Sequence, residues 1–132
     1  MEQQSIAMGL RSSLKKITID TLTPTQLVVT GEFVFLEDFC AFAGHFPSQP
    51  ILPAIVQLAA VRFLAESALE KPLNLLQLSK VKFKGIVQPG NEIEVQLSLT
   101  KENLSWQGIL KLLNDSGAII SSGHITFIPR EN

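Results

Sequence analysis

The length, composition and charge of the chain exclude several classes of protein before any motif is considered. Its 132 residues are 45% hydrophobic and 17% charged, which excludes a disordered chain and suffices for the core of one domain. The formal net charge of -1 gives no general attraction for nucleic acid, and no apolar run is long enough to span a membrane. We therefore expect a single soluble domain over residues 1–132, with no nucleic-acid partner.

The cysteine content and the N-terminal residues predict a cytoplasmic location. Cys40 is the only cysteine, so an internal disulfide is excluded, which fits a reducing compartment. Residues 1–10 lack a basic region followed by a long apolar core, so we expect no secretory signal. Cys40 is predicted to be a packed thiol, because no second catalytic group accompanies it. No cluster has metal-ligand spacing, and we expect no metal.

The first half of the chain predicts a hairpin followed by a long helix. Residues 1–13 are either frayed or a short helix, whereas Lys15–Asp20 and Gln26–Phe35 alternate as strands and are expected to pair. From Pro53 to about Glu70 the segment is apolar on nearly all sides in its first half, which predicts a buried helix. Arg62, Glu66 and Glu70, each four residues apart, predict a solvent-facing stripe near its end.

Four further strands are predicted in the second half. They are expected at Leu75–Phe83, Glu92–Thr100, Ser105–Asn114 and Ala118–Ile128. The breaks carry turn residues, Gln88-Pro89-Gly90-Asn91, Lys101-Glu102-Asn103 and Asn114-Asp115-Ser116-Gly117, which predicts consecutive antiparallel strands joined by hairpins. A helix that is apolar on nearly all sides must be wrapped by such a sheet. The sequence therefore predicts an α+β fold, with about six antiparallel strands around one long helix.

A proline-rich loop in front of the helix carries the most specific motif. It comprises Gly44-His45-Phe46-Pro47, then Pro50-Ile51-Leu52-Pro53, with Gln57 four residues later, followed downstream by Val81-Lys82-Phe83 and by Val87 to Ile93. This pattern resembles the hot-dog-fold 3-hydroxyacyl-[acyl carrier protein] dehydratases of bacterial fatty-acid synthesis. The resemblance covers roughly residues 26–128, and it is closest to the dehydratase-like proteins of aryl-polyene and related lipid clusters.

The resemblance implies an active site, a substrate and a partner. In such dehydratases the loop histidine, here His45, is the base, and a carboxylate on the partner's helix protonates the departing hydroxyl. The resemblance also implies a dimer with acyl tunnels along its interface, a substrate on the phosphopantetheine of an acyl carrier protein, and no other cofactor. Backbone N–H groups at the helix start can hold the thioester oxygen. The substrate-binding residues expected by matching are Phe46, Pro53, Ala54, Gln57 and Ala59.

The chain departs from that family at two positions that bear on the chemistry. Ala59 stands where the family has its Glu or Asp, and Ala54 replaces the glycine that usually follows the last proline. Glu66 lies about 10 Å further along the helix axis and is not a simple substitute for the missing acid. A homodimer is therefore expected to be a poor dehydratase, because losing a general acid typically costs about 10²- to 10⁴-fold in rate. A heterodimer with a homologue that kept its carboxylate would complete one site of two.

Other polar residues carry weaker hypotheses. Lys80, Lys82 and Lys84 are expected on one face of a strand, either as a solvated face or as a docking patch for an acidic carrier protein. Gln57 either orients water or an interface, or satisfies buried backbone groups. His124 is expected to be an ordinary strand histidine.

Three functions remain open at the level of the sequence. The first is a 3-hydroxyacyl-[acyl carrier protein] dehydratase or dehydratase subunit, with His45 as base and the acid supplied from elsewhere. The second is a non-catalytic acyl-binding or scaffolding hot-dog protein that lost its chemistry with the carboxylate. The third, ranked last, is a hot-dog thioesterase, because such enzymes also usually rely on a helix carboxylate.

Overall fold

The structure is a computed structural model that describes residues 6–36 and 52–130. The element order is α1 (Ile6–Ser13), β1 (Leu14–Thr23), β2 (Gln26–Val34), α2 (Ala54–Leu69), β3 (Leu73–Phe83), β4 (Glu92–Glu102), β5 (Ser105–Asn114) and β6 (Ile119–Pro129). The long helix and all six strands are therefore present, each within a few residues of its predicted bounds. The N-terminal segment that the sequence left open forms the short helix α1. No helix in the described part of the chain is long and apolar enough to cross a membrane.

The six strands form one antiparallel sheet in the order β1-β2-β4-β5-β6-β3. The hairpins β1-β2, β4-β5 and β5-β6 confirm the prediction, but the expected hairpin between β3 and β4 is wrong. Strand β3 pairs with β6 at the edge of the sheet, and the Gln88 to Asn91 turn leads from that edge back to the middle. The backbone N–H of Gly90 donates to the carbonyl oxygen of Phe35 at 2.8 Å, so the turn is tied to the end of β2.

The helix α2 packs on one face of the sheet, where alternate residues of β2, β4 and β5 are buried. Leu64 and Val61 of the helix are fully buried, as are Val95 and Leu97 of β4. Gly31 permits the close approach, because a Cβ added there would lie 2.7 Å from Cδ2 of Leu64. Removing this apolar surface from water, at about 25 cal/mol per Å², holds the helix in place.

The described residues cover only one side of α2. The buried helix residues are Val56, Gln57, Ala60, Val61, Leu64 and Ala65, whereas Ile55 is 76% exposed. The expectation of a helix buried all round is therefore wrong for the described residues, because a single sheet reaches one side of the helix and leaves the other open. Leu75, Leu76 and Leu78 on the edge strand β3 are exposed as well.

Candidate functional site

The start of α2 presents backbone donors without a capping side chain. Pro53 is the N-cap residue, with φ -62° and ψ 150°, and no side chain caps the helix. The N–H groups of Val56 and Gln57 both donate to the Pro53 carbonyl, at 3.0 and 3.3 Å. The N–H groups of Ala54 and Ile55 have no acceptor among the described residues. Together with the helix dipole, they make this end of α2 suited to an electronegative oxygen.

The segment that precedes the helix is fixed to the sheet. The N–H of Leu52 donates to the Val87 carbonyl at 2.8 Å, so the loop end and the segment after β3 are joined by a backbone hydrogen bond. Leu52 and Val87 are both buried. The predicted base His45, the predicted substrate residue Phe46 and Cys40 lie outside the described residues. Pro53, Ala54, Gln57 and Ala59 are all placed within the first two turns of α2 or just before it.

The open side of α2 and the edge strand β3 form an apolar groove of about 380 Å³. We call it the α2–β3 groove, and it is lined by Ile55, Leu58, Ala59, Arg62, Leu75, Leu78, Ile125 and Phe127. Ala59, at the position of the family's carboxylate, is half-buried in this groove. A methyl group transfers no proton, and no carboxylate of residues 6–36 or 52–130 lines the groove. The described residues therefore supply no general acid at this place.

Among the described residues, Arg62 is the one charged side chain that lines the α2–β3 groove. It lies three residues after Ala59, on the same side of the helix. Of the predicted solvent-facing stripe, Arg62 and Glu70 are exposed, whereas Glu66 is half-buried. Sequence reasoning overlooked Arg62 for the site, since a charge near the end of an apolar helix usually faces solvent. Its guanidinium is left available to a carboxylate that enters the groove.

Glu66 has a structural role that removes it as a replacement acid. Its Oε2 accepts a hydrogen bond from the backbone N–H of Leu73 at 2.8 Å, where the chain leaves the helix and enters β3. Glu66 is half-buried, and Leu73 is fully buried. This contact supports the expectation that Glu66 does not take the role of the missing acid.

Gln57 is buried against the sheet and contacts a residue that the sequence did not single out. The hydroxyl of Ser121 donates to Oε1 of Gln57 at 3.0 Å. The pairing of β5 with β6 shifts register between Leu112 and Leu113, and Ile120 and Ser121 are consecutive buried residues as a result. The sequence carries no signal for this contact, because Ser121 and Ser122 are consecutive serines and alternation does not show which of them is buried.

The lysines of β3 are arranged differently from the prediction. The pairing of β3 with β6 is irregular between Ser79 and Lys82, and Lys80 adopts a left-handed φ of 54°. Lys84 follows the end of β3, and its N–H donates to Ile120. We define the basic cluster as Lys80, Lys82, Lys111 and His124, which line one depression of about 200 Å³ on the outer face of the sheet. Lys84 does not line this depression, and the docking role of the three lysines stays a prediction.

The additional members of the basic cluster follow from strand pairing. Ser122 is opposite Lys82 on one side and Lys111 on the other. His124 is likewise flanked by Ser79 and Ile109. The sequence places Lys111 and His124 far from β3 along the chain, and only the sheet order brings them together. In residues 6–36 and 52–130, no group of three or more His, Cys, Asp or Glu side chains is placed to hold a metal ion.

Six antiparallel strands in this order, with one long helix on one face, define a hot-dog-fold protein, as predicted. A protein from Erwinia carotovora subsp. atroseptica is similar, with a TM-score of 0.73, 25% identity and coverage of 89% of this chain and 95% of the other. The dehydratase heterocomplex ApeI:P from Xenorhabdus doucetiae matches in fold with a TM-score of 0.67 at 21% identity, over 87% and 96% of the two chains. A putative thioesterase from Lactococcus lactis shares the fold at 12% identity, with a TM-score of 0.68 over 92% and 96% of the chains.

The family is shown by sequence. The chain belongs to the ApeI-like family, whose model is described as ApeI dehydratase and matches residues 22–124. It is also 29% identical over 120 residues to the 3-hydroxyacyl-[acyl-carrier-protein] dehydratase FabZ of Lactiplantibacillus plantarum, covering 83% of this chain and 79% of the relative. The FabZ of Shewanella sediminis is 27% identical over 68% of this chain and 65% of the relative, just under two thirds of its length. The resemblance inferred from the Gly-His-Phe-Pro loop is thereby confirmed.

Proposed function

We propose that the chain is one subunit of a 3-hydroxyacyl-[acyl carrier protein] dehydratase, with His45 as its base. The observation that carries the proposal is a dehydratase family membership combined with a groove that holds Ala59 in place of a carboxylate. His45 removes a proton from C2 of the acyl thioester, and the electron pair forms the C2–C3 double bond. The C3–O bond breaks, and the hydroxyl leaves as water after taking a proton from an acid.

The acid, in this proposal, comes from a homologous hot-dog subunit that occupies the α2–β3 groove. The exposed apolar side chains of the groove, with Ile55 and Leu78 among them, need a partner to leave water. Arg62 favours a partner with a carboxylate at the contact, since guanidinium and carboxylate pair well in interfaces. The solved heterocomplex ApeI:P is a precedent for two-chain dehydratases with this fold. In a homodimer of this chain, Ala59 would stand at the family's carboxylate position in both subunits.

The basic cluster is the proposed docking surface for the acyl carrier protein. Three ammonium groups and one imidazole around a shallow depression suit an acidic partner and its phosphate group. Reversing the charge at Lys82 and Lys111 should weaken carrier-protein binding by about two- to fivefold per substitution, and added salt should shrink the difference. Lys84→Glu is the matched control, because Lys84 is exposed on the same segment but does not line the depression. Equal losses in all three variants would contradict the placement.

The function is tested by mass spectrometry of a 3-hydroxyacyl carrier protein incubated with the chain, alone and together with any homologue that co-purifies with it. Loss of one water from the acyl group, only when both subunits are present and His45 is intact, supports the proposal. Full activity of the isolated chain would sink the composite site. Tight binding without a mass change would favour the alternative function, an acyl-binding or scaffolding protein, which the absence of an acid from the groove also fits. Release of free acid would indicate a thioesterase.

A further inference from the structure

In the described part of the chain, the Gln57 side chain has a hydrogen-bond partner for its amide oxygen but none for its amide nitrogen. The residue is 3% exposed, and its Oε1 accepts the hydroxyl of Ser121, itself 1% exposed. The amide nitrogen Nε2 carries two further donors, and no described residue accepts a hydrogen bond from it. Buried polar groups are nearly always paired. A buried amide with one end hydrogen-bonded and the other without an acceptor among the described residues is a candidate for ligand binding.

Ser121 is the residue to which the Gln57 amide is hydrogen-bonded. The neighbours of Ser121 in the sheet are Phe83 on β3 and Leu112 on β5, both apolar, so its hydroxyl has Gln57 as its only side-chain partner in the part of the chain described. In the structure the hydroxyl donates to Oε1, which places Nε2 on the side of the amide away from Ser121.

The surroundings of the free nitrogen define what it can bind. Gln57 is the fourth residue of α2, in the same turn whose first N–H groups, at Ala54 and Ile55, lack acceptors among the described residues. These groups are donors only, so the atom they suit is an oxygen with lone pairs, such as a carbonyl. A neutral amide gives up no proton at ordinary pH, so Gln57 is not the missing acid. Its chemistry is to hold an oxygen and to stabilise charge on it.

We infer that Nε2 of Gln57 donates a hydrogen bond to the carbonyl oxygen of the bound acyl thioester, and that Ser121 is a positioning residue for that amide. The identity of this ligand rests on the proposed function. When the proton leaves C2, negative charge moves onto the thioester oxygen, and a fixed donor strengthens its hydrogen bond at that moment. The charge returns as the C3–O bond breaks and the double bond forms.

Two ligands that differ in one oxygen test the inference. S-(trans-2-butenoyl)pantetheine has the thioester carbonyl, and the thioether S-(trans-2-butenyl)pantetheine has a CH₂ group in its place. Their affinities are measured by calorimetry for the wild type, Gln57→Leu, Ser121→Ala and the control Gln77→Leu, all with the co-purifying homologue where one is found. Gln77 lies exposed on the outer face of β3. The preference for the thioester should fall about three- to tenfold in Gln57→Leu, less in Ser121→Ala, and not in Gln77→Leu.

A purely structural pair predicts the opposite pattern. If Gln57 and Ser121 only join the helix to the sheet, both single variants lose stability, the double variant regains part of it, and the preference for the thioester stays constant in all of them. That result overturns the inference. Ser121→Cys retains a weak donor of similar shape and should recover part of the preference lost in Ser121→Ala.

A second measurement needs no altered site in the observed sample. The side-chain ¹⁵N resonance of Gln57 in the wild type, assigned by its absence in Gln57→Leu, should shift with the thioester and stay in place with the thioether. Equal responses to the two ligands would contradict a hydrogen bond to the carbonyl. The outcome is separable from the proposed function: oxygen-dependent binding without elimination of water refutes the dehydratase and keeps the inference, whereas elimination without the oxygen-dependent preference does the reverse.

Discussion

The two long sides of α2 have similar apolar composition and opposite fates. On the side that faces the sheet, Val61 and Leu64 are fully buried, and Gln57 makes a specific hydrogen bond with Ser121. On the other side, Ile55 is largely exposed, and Leu58 and Ala59 line an open groove. Among the described residues, one side is covered by the chain's own sheet, and the other is open.

The difference shows where the chemistry of this chain is complete. The sheet side and the helix start present donors for an oxygen, held by contacts within the chain. Among the described residues, the groove side has no carboxylate to act as a proton donor, and Arg62 lies close to Ala59 there. In the proposed function, the sheet side of α2 maintains the fold, and a different subunit supplies the acid to the groove side. Placing a carboxylate at position 59 is therefore the substitution from which we expect the largest effect.

Substituting Ala59→Glu should give the groove side its missing function. The α2–β3 groove, at about 380 Å³, has room for the longer side chain. Elimination by the isolated chain should rise by about 10²- to 10⁴-fold, which is the usual contribution of a general acid. The measurement is the rate of 2-enoyl thioester formation in single-turnover experiments.

The matched control for this prediction is Ala59→Gln, which has the same shape but no transferable proton. If the Gln and Glu variants have the same rate, the carboxylate is not what the groove lacks, and the composite site is wrong. Ala59→Glu combined with His45→Ala should return the rate to that of the original chain, because the base acts in the same elimination.

Much of the fold and part of the candidate site were predictable from the sequence. Turn residues and strand alternation predicted the bounds of all six strands, and the proline-rich loop with Gln57 predicted the family. The absence of a carboxylate at Ala59 was also evident, because the spacing from Pro53 is short and lies within one helix. Local patterns of this kind depend on residues that are close together along the chain, so they can be read directly from the sequence.

The contacts that depend on the order of the sheet were not predictable. Nothing local indicates that β3 pairs with β6, so the contribution of Lys111 to the basic cluster and the exclusion of Lys84 were missed. The hydrogen bond between Gln57 and Ser121 joins residues 64 positions apart, and it arises where a register shift turns a serine inward. The apolar pattern of α2 predicted burial, but it did not reveal which side the sheet would cover.

Truncating one residue on each side of α2 compares what the two sides contribute to the stability of the fold. Leu64→Ala removes a fully buried side chain from the sheet side and should lower the free energy of unfolding by about 2–5 kcal/mol. Ile55→Ala removes a side chain that is mostly in water and should change it by less than about 0.5 kcal/mol. Urea denaturation of the isolated chain measures both. A large loss in Ile55→Ala would show that the groove is already filled within the chain or by a second copy.

Substitutions of Glu66 test whether its carboxylate is structural or catalytic. They have the smallest expected effect of the three predictions. Glu66→Ala removes the acceptor of the Leu73 N–H and should lower the free energy of unfolding by about 1–2 kcal/mol, whereas Glu66→Gln keeps an oxygen there and should lower it less. The control is Glu70→Ala, because Glu70 is exposed at the end of the same helix. Neither Glu66 variant should alter the elimination rate of the folded protein with its partner, measured by the single-turnover experiment. A fall in that rate of about tenfold or more in Glu66→Gln would make Glu66 the proton donor and would remove the need for an acid from the partner.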